Sequence, residues 1–243
     1  MSRSFVGLLL GLAVACRPTP APSTASSAVG VRPSTSWAAP LSLDARVSDW
    51  KAAIRGATDT TERLLGRKTM TQTPLEAGTA NVLIVAAWHP PLVSTDSLVV
   101  AARALTPVRE VLAYNGFIRR YTYDGTHVSG TVQHADSAPR RFDRVFTEPV
   151  FAFSEVDLLV RAVPFREGWS IVVPLFSESD EAVEYDTITV TARREDVWVV
   201  RFADPAIVST YDVLARSREI VAIDTEQRRT RAVIRYRPES RPS

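Results

Sequence analysis

Residues 117–133 have the sequence Phe-Ile-Arg-Arg-Tyr-Thr-Tyr-Asp-Gly-Thr-His-Val-Ser-Gly-Thr-Val-Gln, which is the pattern of a β-hairpin. Two runs of strand-forming residues flank Asp124-Gly125, and this dipeptide favours a type I′ turn because both central residues of that turn need positive φ. Asn115-Gly116 provides a second turn of the same kind just before the first run. The segment therefore predicts consecutive antiparallel strands.

The same alternation continues through the chain. Residues 187–191 place Ile188 and Val190 on one face, and residues 197–202 place Trp198, Val200 and Phe202 together. Polar turns separate these runs, so we expect about ten to twelve strands. The predicted fold is mainly β, with residues 41–237 forming one domain in which an antiparallel meander makes a half-barrel or open barrel around one or two short helices.

One segment has helical spacing instead. Ser154 is the predicted N-cap, accepting a hydrogen bond from the backbone N–H of Asp157, and Pro164 ends the helix. Residues 45–65 are a second, ambiguous helix candidate. Because a helix of two to three turns is not stable alone, we expect it to pack on the sheet. A sheet that curves around a helix leaves a concave apolar surface, which is a candidate ligand groove.

The N-terminus has the features of an export signal. Residues 5–15 are apolar, and these eleven residues are too few for a membrane span, which needs about 20. The sequence Ala13-Val14-Ala15-Cys16 resembles a bacterial lipobox, in which the cysteine is lipidated and becomes the first residue. This predicts a signal peptide at 1–15 and lipid attachment at Cys16. The alternative is a plain secretory signal that leaves Cys16 as a free thiol.

The next segment predicts a tether. Residues 16–40 are rich in Pro, Ser, Thr and Ala, a composition that cannot bury a core. Trp37 is then a solvated linker residue, and residues 238–243 form a disordered tail. Arg17 stands where lipoproteins of the inner membrane often carry Asp. We therefore expect a protein of the cell envelope, anchored to the membrane through Cys16, in the outer membrane and facing the periplasm.

Several classes of function are disfavoured by composition and by missing motifs. The net charge of +2 gives no field that would attract nucleic acid. The three histidines, His89, His127 and His134, have no metal-ligand spacing, and no cysteine is free to assist them. No glycine-rich phosphate loop or nucleophile elbow is present. We expect no metal, no cofactor, no catalytic residues and no enzymatic activity.

Arginines and aromatic residues remain as candidate surfaces. Of the 29 basic residues, only Lys51 and Lys68 are lysine. An arginine cluster near the C-terminus indicates either a solvated sheet face, which we favour, or a surface for anionic lipids; it comprises Arg228, Arg229, Arg231, Arg235 and Arg237. Residues on and around the predicted helix either line a groove for an apolar ligand or form the core between helix and sheet. The candidate ligand-binding residues are Phe151, Phe153, Leu159, Val163 and Trp169.

The order of these features resembles a family of bacterial envelope proteins, domain of unknown function 3108. The likeness covers about residues 96–237 and is carried best by Val163-Pro164-Phe165-Arg166-Glu167-Gly168 after the helix and by Ile223-Asp224-Thr225 before Arg228-Arg229. The resemblance implies a fold similar to the periplasmic lipoprotein carriers, which hold acyl chains between a half-barrel and its helices.

These observations lead to one expectation and two alternatives. The expectation is a non-enzymatic envelope lipoprotein that binds an apolar or acyl-chain ligand in the groove between sheet and helix. The first alternative is an envelope scaffold or assembly factor that acts through contact with another protein. The second alternative, an envelope hydrolase, would need a catalytic set assembled from distant residues.

Overall fold

The computed structural model describes residues 37–39, 41–59, 61–88 and 92–239. These residues form 15 strands, one α-helix and two short 3₁₀ turns, at Glu76–Gly78 and Phe153–Glu155. The helix, α1, is Val156–Ala162. No helix among the described residues is long and apolar enough to cross a membrane.

The strands follow one another along the chain with short connections. Their bounds are β1 Arg46–Arg55, β2 Arg63–Pro74, β3 Thr79–Trp88, β4 Leu92–Ala101, β5 Thr106–Tyr114, β6 Phe117–Asp124, β7 His127–His134, β8 Arg140–Val145, β9 Phe151–Ala152, β10 Ser170–Ser177, β11 Ala182–Arg194, β12 Val197–Ala203, β13 Ile207–Leu214, β14 Ile220–Gln227 and β15 Val233–Pro238.

All strands belong to one sheet, in the order β8-β7-β6-β5-β4-β3-β2-β1-β15-β14-β13-β12-β11-β10-β9. Every pairing is antiparallel except the short parallel contact of β9 with β10. The sheet is open, and its two ends meet through side chains: the Phe142 ring of β8 lies 5.4 Å from the Phe176 ring of β10. The structure confirms the predicted antiparallel meander in an open barrel around a helix.

Because neighbouring strands run antiparallel, their connections alternate between the two ends of the barrel. We call the end with the β1–β2 connection (56–62) and the β14–β15 connection (228–232) the upper end. The end where β1 begins, and which carries the β13–β14 connection (215–219), is the lower end.

Helix α1 lies inside the barrel, in the segment that connects β8 to β10. All seven of its residues are buried. Burying each large apolar side chain contributes about 1.5–3 kcal/mol, which explains how so short a helix is stable here. Its C-terminus is fixed at the lower end, where Arg161 Nε donates to the Arg218 carbonyl at 2.9 Å and Arg218 Nη1 donates to the Val163 carbonyl at 3.0 Å.

Three sequence-based details of the strands differ from the structure. There are more strands than the ten to twelve expected. The helix candidate at 45–65 is wrong, since this segment contains β1 and the start of β2. The Asp124-Gly125 hairpin is present, but its two central residues are Gly125 and Thr126, and only Gly125 has positive φ. By contrast, both Asn115 and Gly116 have positive φ, as a type I′ turn requires.

The predicted cap of α1 is also wrong. No side chain caps the helix N-terminus. The Ser154 hydroxyl instead donates to the Glu110 carboxyl of β5, and Glu155 Oε2 accepts from the Ala152 backbone N–H at 3.0 Å. A buried carboxyl on the facing strand competes for the serine more effectively than the local backbone does.

Both ends of the described chain join the lower end of the barrel. Trp37 is packed on the body, with its ring 5.6 Å from that of Trp169, so it is not the solvated linker residue expected. The Ala39 backbone N–H donates to the Ala162 carbonyl at 2.7 Å. Strand β15 extends to Pro238. The predicted signal peptide, Cys16 and most of the tether and tail lie outside the described residues.

The C-terminal arginine cluster lies partly on the outer face of β15, where acidic residues pair with it. Arg237 Nη1 is 2.7 Å from Asp224 Oδ1, and Arg235 pairs with Glu62. Arg231 Nη1 is 3.0 Å from Glu226 Oε1. These pairs agree with the solvated sheet face that we favoured.

Candidate functional site

A cavity that is partly open to solvent lies above the first turn of α1. It has a volume of about 220 Å³ and is bounded by α1, by the 3₁₀ turn before it and by strands from both halves of the sheet. Its apolar walls are formed by Ile84, Phe153, Val156, Phe202, Ile207 and Ile223. The cavity exists because α1 is short: the helix fills the lower half of the barrel, and its N-terminus ends near the middle.

A buried ion pair forms one wall of this cavity. Lys68 Nζ of β2 lies 2.8 Å from Asp157 Oδ2 of α1, and it also faces the Tyr236 ring at 5.8 Å. The Tyr211 hydroxyl donates to the same carboxylate. Burial acts to lower the pKa of Lys68, but the charge and hydrogen bond of Asp157 outweigh it, so the pKa lies above its ordinary value. Lys68 is therefore a charged ammonium in a largely apolar wall.

A cluster of carboxyls lies next to the cavity, beyond Ser154. Glu110 is fully buried and accepts hydrogen bonds from Ser154 and, at 2.7 Å, from the Tyr123 hydroxyl. Burial raises the pKa of Glu110 despite these hydrogen bonds. Burial and the charge of Glu110 raise the pKa of Asp96 to about 8, although Ser154 and Lys68 oppose the shift. The two carboxyls titrate as one coupled pair that holds a proton near neutral pH.

Two more carboxyls share this environment. Burial raises the pKa values of Glu155 and Glu178 well above their ordinary range, and the charge of Glu110 adds to the shift in both. Glu155 Oε1 and Glu178 Oε1 are buried, and neither atom has a hydrogen-bond partner among the residues that the structure describes. The upper half of the interior therefore contains protonated carboxylic acids, which are costly to bury.

The candidate ligand-binding residues separate into three groups. Phe153 lies in the cavity wall, with its ring 6.1 Å from that of Phe202. Phe151, Leu159 and Val163 are fully buried core residues that do not line the cavity. Trp169 is partly buried at the lower end against Trp37, far along the helix from the cavity.

Sequence reasoning missed the polar residues of the site. Lys68, Asp157 and Tyr211 were not singled out as candidate site residues. One signal was available: Lys68 is one of only two lysines in a chain that otherwise uses arginine. A compact ammonium fits a narrow interior position where a planar guanidinium would need more space.

His127 and His134 do not line the cavity, and His89 lies outside the described residues. His127 Nε2 is 2.7 Å from Asp143 Oδ1 on the exposed surface, and the His134 ring packs 4.2 Å from the Phe117 ring. Within the described ranges, no group of three His, Cys, Asp or Glu side chains is arranged to hold a metal ion.

Comparisons with known proteins support the fold alone. No family model and no curated protein matches the chain. Among solved structures, the chain is similar to a beta-barrel-like protein of domain of unknown function 1849 from Brucella abortus. The two share 12% sequence identity with a TM-score of 0.52, and the match covers 84% of this chain and 98% of that one. That protein carries a different domain of unknown function from 3108, so the shared feature is a β-barrel-like architecture.

Proposed function

We propose that this chain is a non-enzymatic protein of the bacterial cell envelope that holds an apolar or acyl-chain ligand in the cavity above α1. The observation that carries the proposal is the cavity itself, because it is concave and apolar side chains from the helix and several strands form much of its wall. The export signal and Cys16 support an envelope location with a lipid anchor. The resemblance to the lipoprotein carriers, which combine a half-barrel with helices, supports the same ligand class.

The size of the cavity limits the ligand. Its volume of about 220 Å³ exceeds the roughly 150 Å³ that is enough to hold benzene in an engineered apolar cavity. It is smaller than the roughly 300–1,000 Å³ of typical pockets for drug-sized ligands. We therefore propose a short aliphatic segment or a small apolar molecule as the bound part, with the rest of a longer ligand extending towards the upper end.

Native mass spectrometry tests this proposal directly. The exported chain carrying Cys16→Ser, purified without detergent, is expected to carry an extra mass that organic extraction removes. Ile223→Trp fills the cavity from β14 and should abolish that mass. Ala222→Trp is the matched control, because it adds the same side chain on the opposite face of the same strand. Two results would contradict the proposal. One is an extra mass that persists in the Ile223→Trp variant. The other is the absence of any extra mass from the Cys16→Ser chain after decanol has been added.

The scaffold alternative is favoured by one feature, the free edge of β8. This strand pairs only with β7 among the described strands, and its last residue, Val145, is 75% exposed. An unpaired edge can accept a strand from another protein. Crosslinking in intact cells through a photoreactive residue at position 145 would identify such a partner. If no protein is crosslinked, the scaffold alternative loses its support and the cavity proposal remains.

The hydrolase alternative gains no comparable support. Ser154 lies in the cavity wall, but its hydrogen-bond partner is Glu110, and no histidine among the described residues lines the cavity. Asp96 and Glu110 lie near the cavity but do not line it.

A further inference from the structure

Arg119 is a buried cation without a partner on the inner face of β6. Its side chain faces inward together with Tyr121 and Tyr123, and it is only 9% exposed. Within the described part of the chain, its guanidinium makes no hydrogen bond or ion pair, and its Nε atom is completely buried. Buried charges in proteins are normally paired, so this residue needs an explanation.

Two aromatic rings hold the guanidinium in place. Its central carbon lies 5.6 Å from the centre of the Tyr114 ring and 5.9 Å from that of Phe117. The His134 ring then packs on Phe117 at 4.2 Å. Contacts with ring faces fix the position of a guanidinium and leave its N–H groups free to bind.

The other interior cations are already satisfied. Lys68 pairs with Asp157, and Arg161 donates to the Arg218 carbonyl and to Gln72 Oε1. The carboxyl whose charge bears on Arg119 is Glu178; burial raises the pKa of Glu178 well above its ordinary range, although Arg119 opposes the shift. Among the described residues, Arg119 forms no ion pair or hydrogen bond with this or any other side chain.

Arg119 lies on the same inner surface as the cavity. Ile84 of β3 lines the cavity and lies opposite Asp96 of β4. Asp96 lies opposite Leu112 of β5, and Leu112 lies opposite Arg119 of β6. Three strand spacings of about 4.8 Å place Arg119 about 14 Å from Ile84 along the sheet. Arg119 therefore lies on the same inner face of the sheet as the cavity, three strands away from Ile84.

We propose that Arg119 binds the oxyanion head, a carboxylate or phosphate, of an amphiphilic ligand whose aliphatic chain occupies the cavity. This inference rests on the proposed function and adds to it that the ligand carries a negatively charged head group. A planar guanidinium with free N–H groups matches an oxyanion, with which it can form two parallel hydrogen bonds.

The test compares ligands that differ only in the head group. Decanoate, monodecyl phosphate and decanol are titrated into the exported chain carrying Cys16→Ser, and the dissociation constants are measured by calorimetry. We expect at least one of the two anions to bind about 10- to 100-fold more tightly than decanol, as one charge-assisted interaction warrants. Arg119→Gln should remove this preference. Arg120→Gln, on the opposite exposed face of β6, is the matched control and should retain it.

A second measurement does not depend on how the variant folds. With an isotope label on the carboxyl carbon of decanoate, the pKa of the bound acid is read by NMR. It should lie below its value in water, because a neighbouring guanidinium favours the carboxylate, whereas burial alone would raise it.

The outcomes separate the two proposals. Equal affinities for the three ligands, or a raised pKa of the bound decanoate, would overturn the role of Arg119 and leave the cavity as a site for uncharged ligands. If none of the three ligands binds, the proposed function fails and this inference fails with it.

Discussion

Replacing Asp96 by asparagine should stabilise the protein at neutral pH. The pKa of Asp96 is raised from 3.8 to about 8 in the folded protein, mainly by burial and by the charge of Glu110. Between these two values the unfolded chain is ionised at this position while the folded protein keeps the proton. The contribution of Asp96 to stability is therefore most favourable below about pH 4, falls as pH rises and levels off above about pH 8.

The magnitude follows from the same shift. The three pH units between 3.8 and 7 amount to about 4 kcal/mol at about 1.4 kcal/mol per unit. This value is an upper limit. Glu110 shares the proton with Asp96, so part of the free-energy cost of the buried carboxyl pair remains when Asp96 is replaced. Asparagine keeps the volume of the side chain and can hydrogen-bond to Ser154, so Asp96→Asn should gain about 2–4 kcal/mol at pH 7 and almost nothing at pH 4.

Urea unfolding from pH 4 to pH 8 measures this effect as the free energy of unfolding. The difference between Asp96→Asn and the unmodified chain should grow steadily with pH. Asp136→Asn makes the same chemical change in an exposed turn and should show no such trend. A gain that is equal at every pH, or a loss of stability at pH 7, would refute the reasoning that burial keeps Asp96 protonated.

Three further predictions concern the core and the ion pair, each measured by equilibrium unfolding at pH 7. Leu159→Ala should cost about 2–5 kcal/mol, because it empties a fully buried position on α1, and an unchanged midpoint would contradict the packing of α1 inside the barrel. Lys68→Met should cost about 3–5 kcal/mol, since it leaves the Asp157 carboxylate buried without its cation, and an unchanged free energy of unfolding would contradict the buried ion pair. Gly130→Ala should cost about 1–3 kcal/mol, because the added Cβ would overlap the Arg120 carbonyl, and a neutral result would show that β6 and β7 can separate locally.

Most of the fold could be predicted from local patterns. Strand alternation and the turn at Asn115-Gly116 act over a few residues, so the meander follows from them directly. The strand at residues 46–55 was missed because its alternation is ambiguous, and the strand is held by pairing on both sides, with β2 and with the distant β15. The same limit applies to Ser154, whose partner Glu110 is 44 residues away.

The site was only partly predictable for a related reason. The aromatic residues around the helix mark the interior, but sequence does not say which of them face a void and which face other side chains. Phe153 and Leu159 are six residues apart, yet one lines the cavity and the other is packed core. Arg119 and Arg120 are adjacent and chemically identical, and only the pleat of β6 places one inside and one outside.

The buried arginines at the lower end of the interior have partners, whereas several buried polar groups at the upper end lack them. At the lower end, Arg161 and Arg218 are satisfied by backbone carbonyls, and the Arg218 guanidinium also faces the Phe165 ring at 4.3 Å. At the upper end, Glu155, Glu178 and Arg119 retain buried polar atoms without partners. Natural proteins tolerate such costly groups mainly where function needs them, and the packing of α1 at the lower end supplies the stability that offsets them. A ligand that supplies an oxyanion to Arg119 would lower part of this cost, so its binding should also raise the free energy of unfolding.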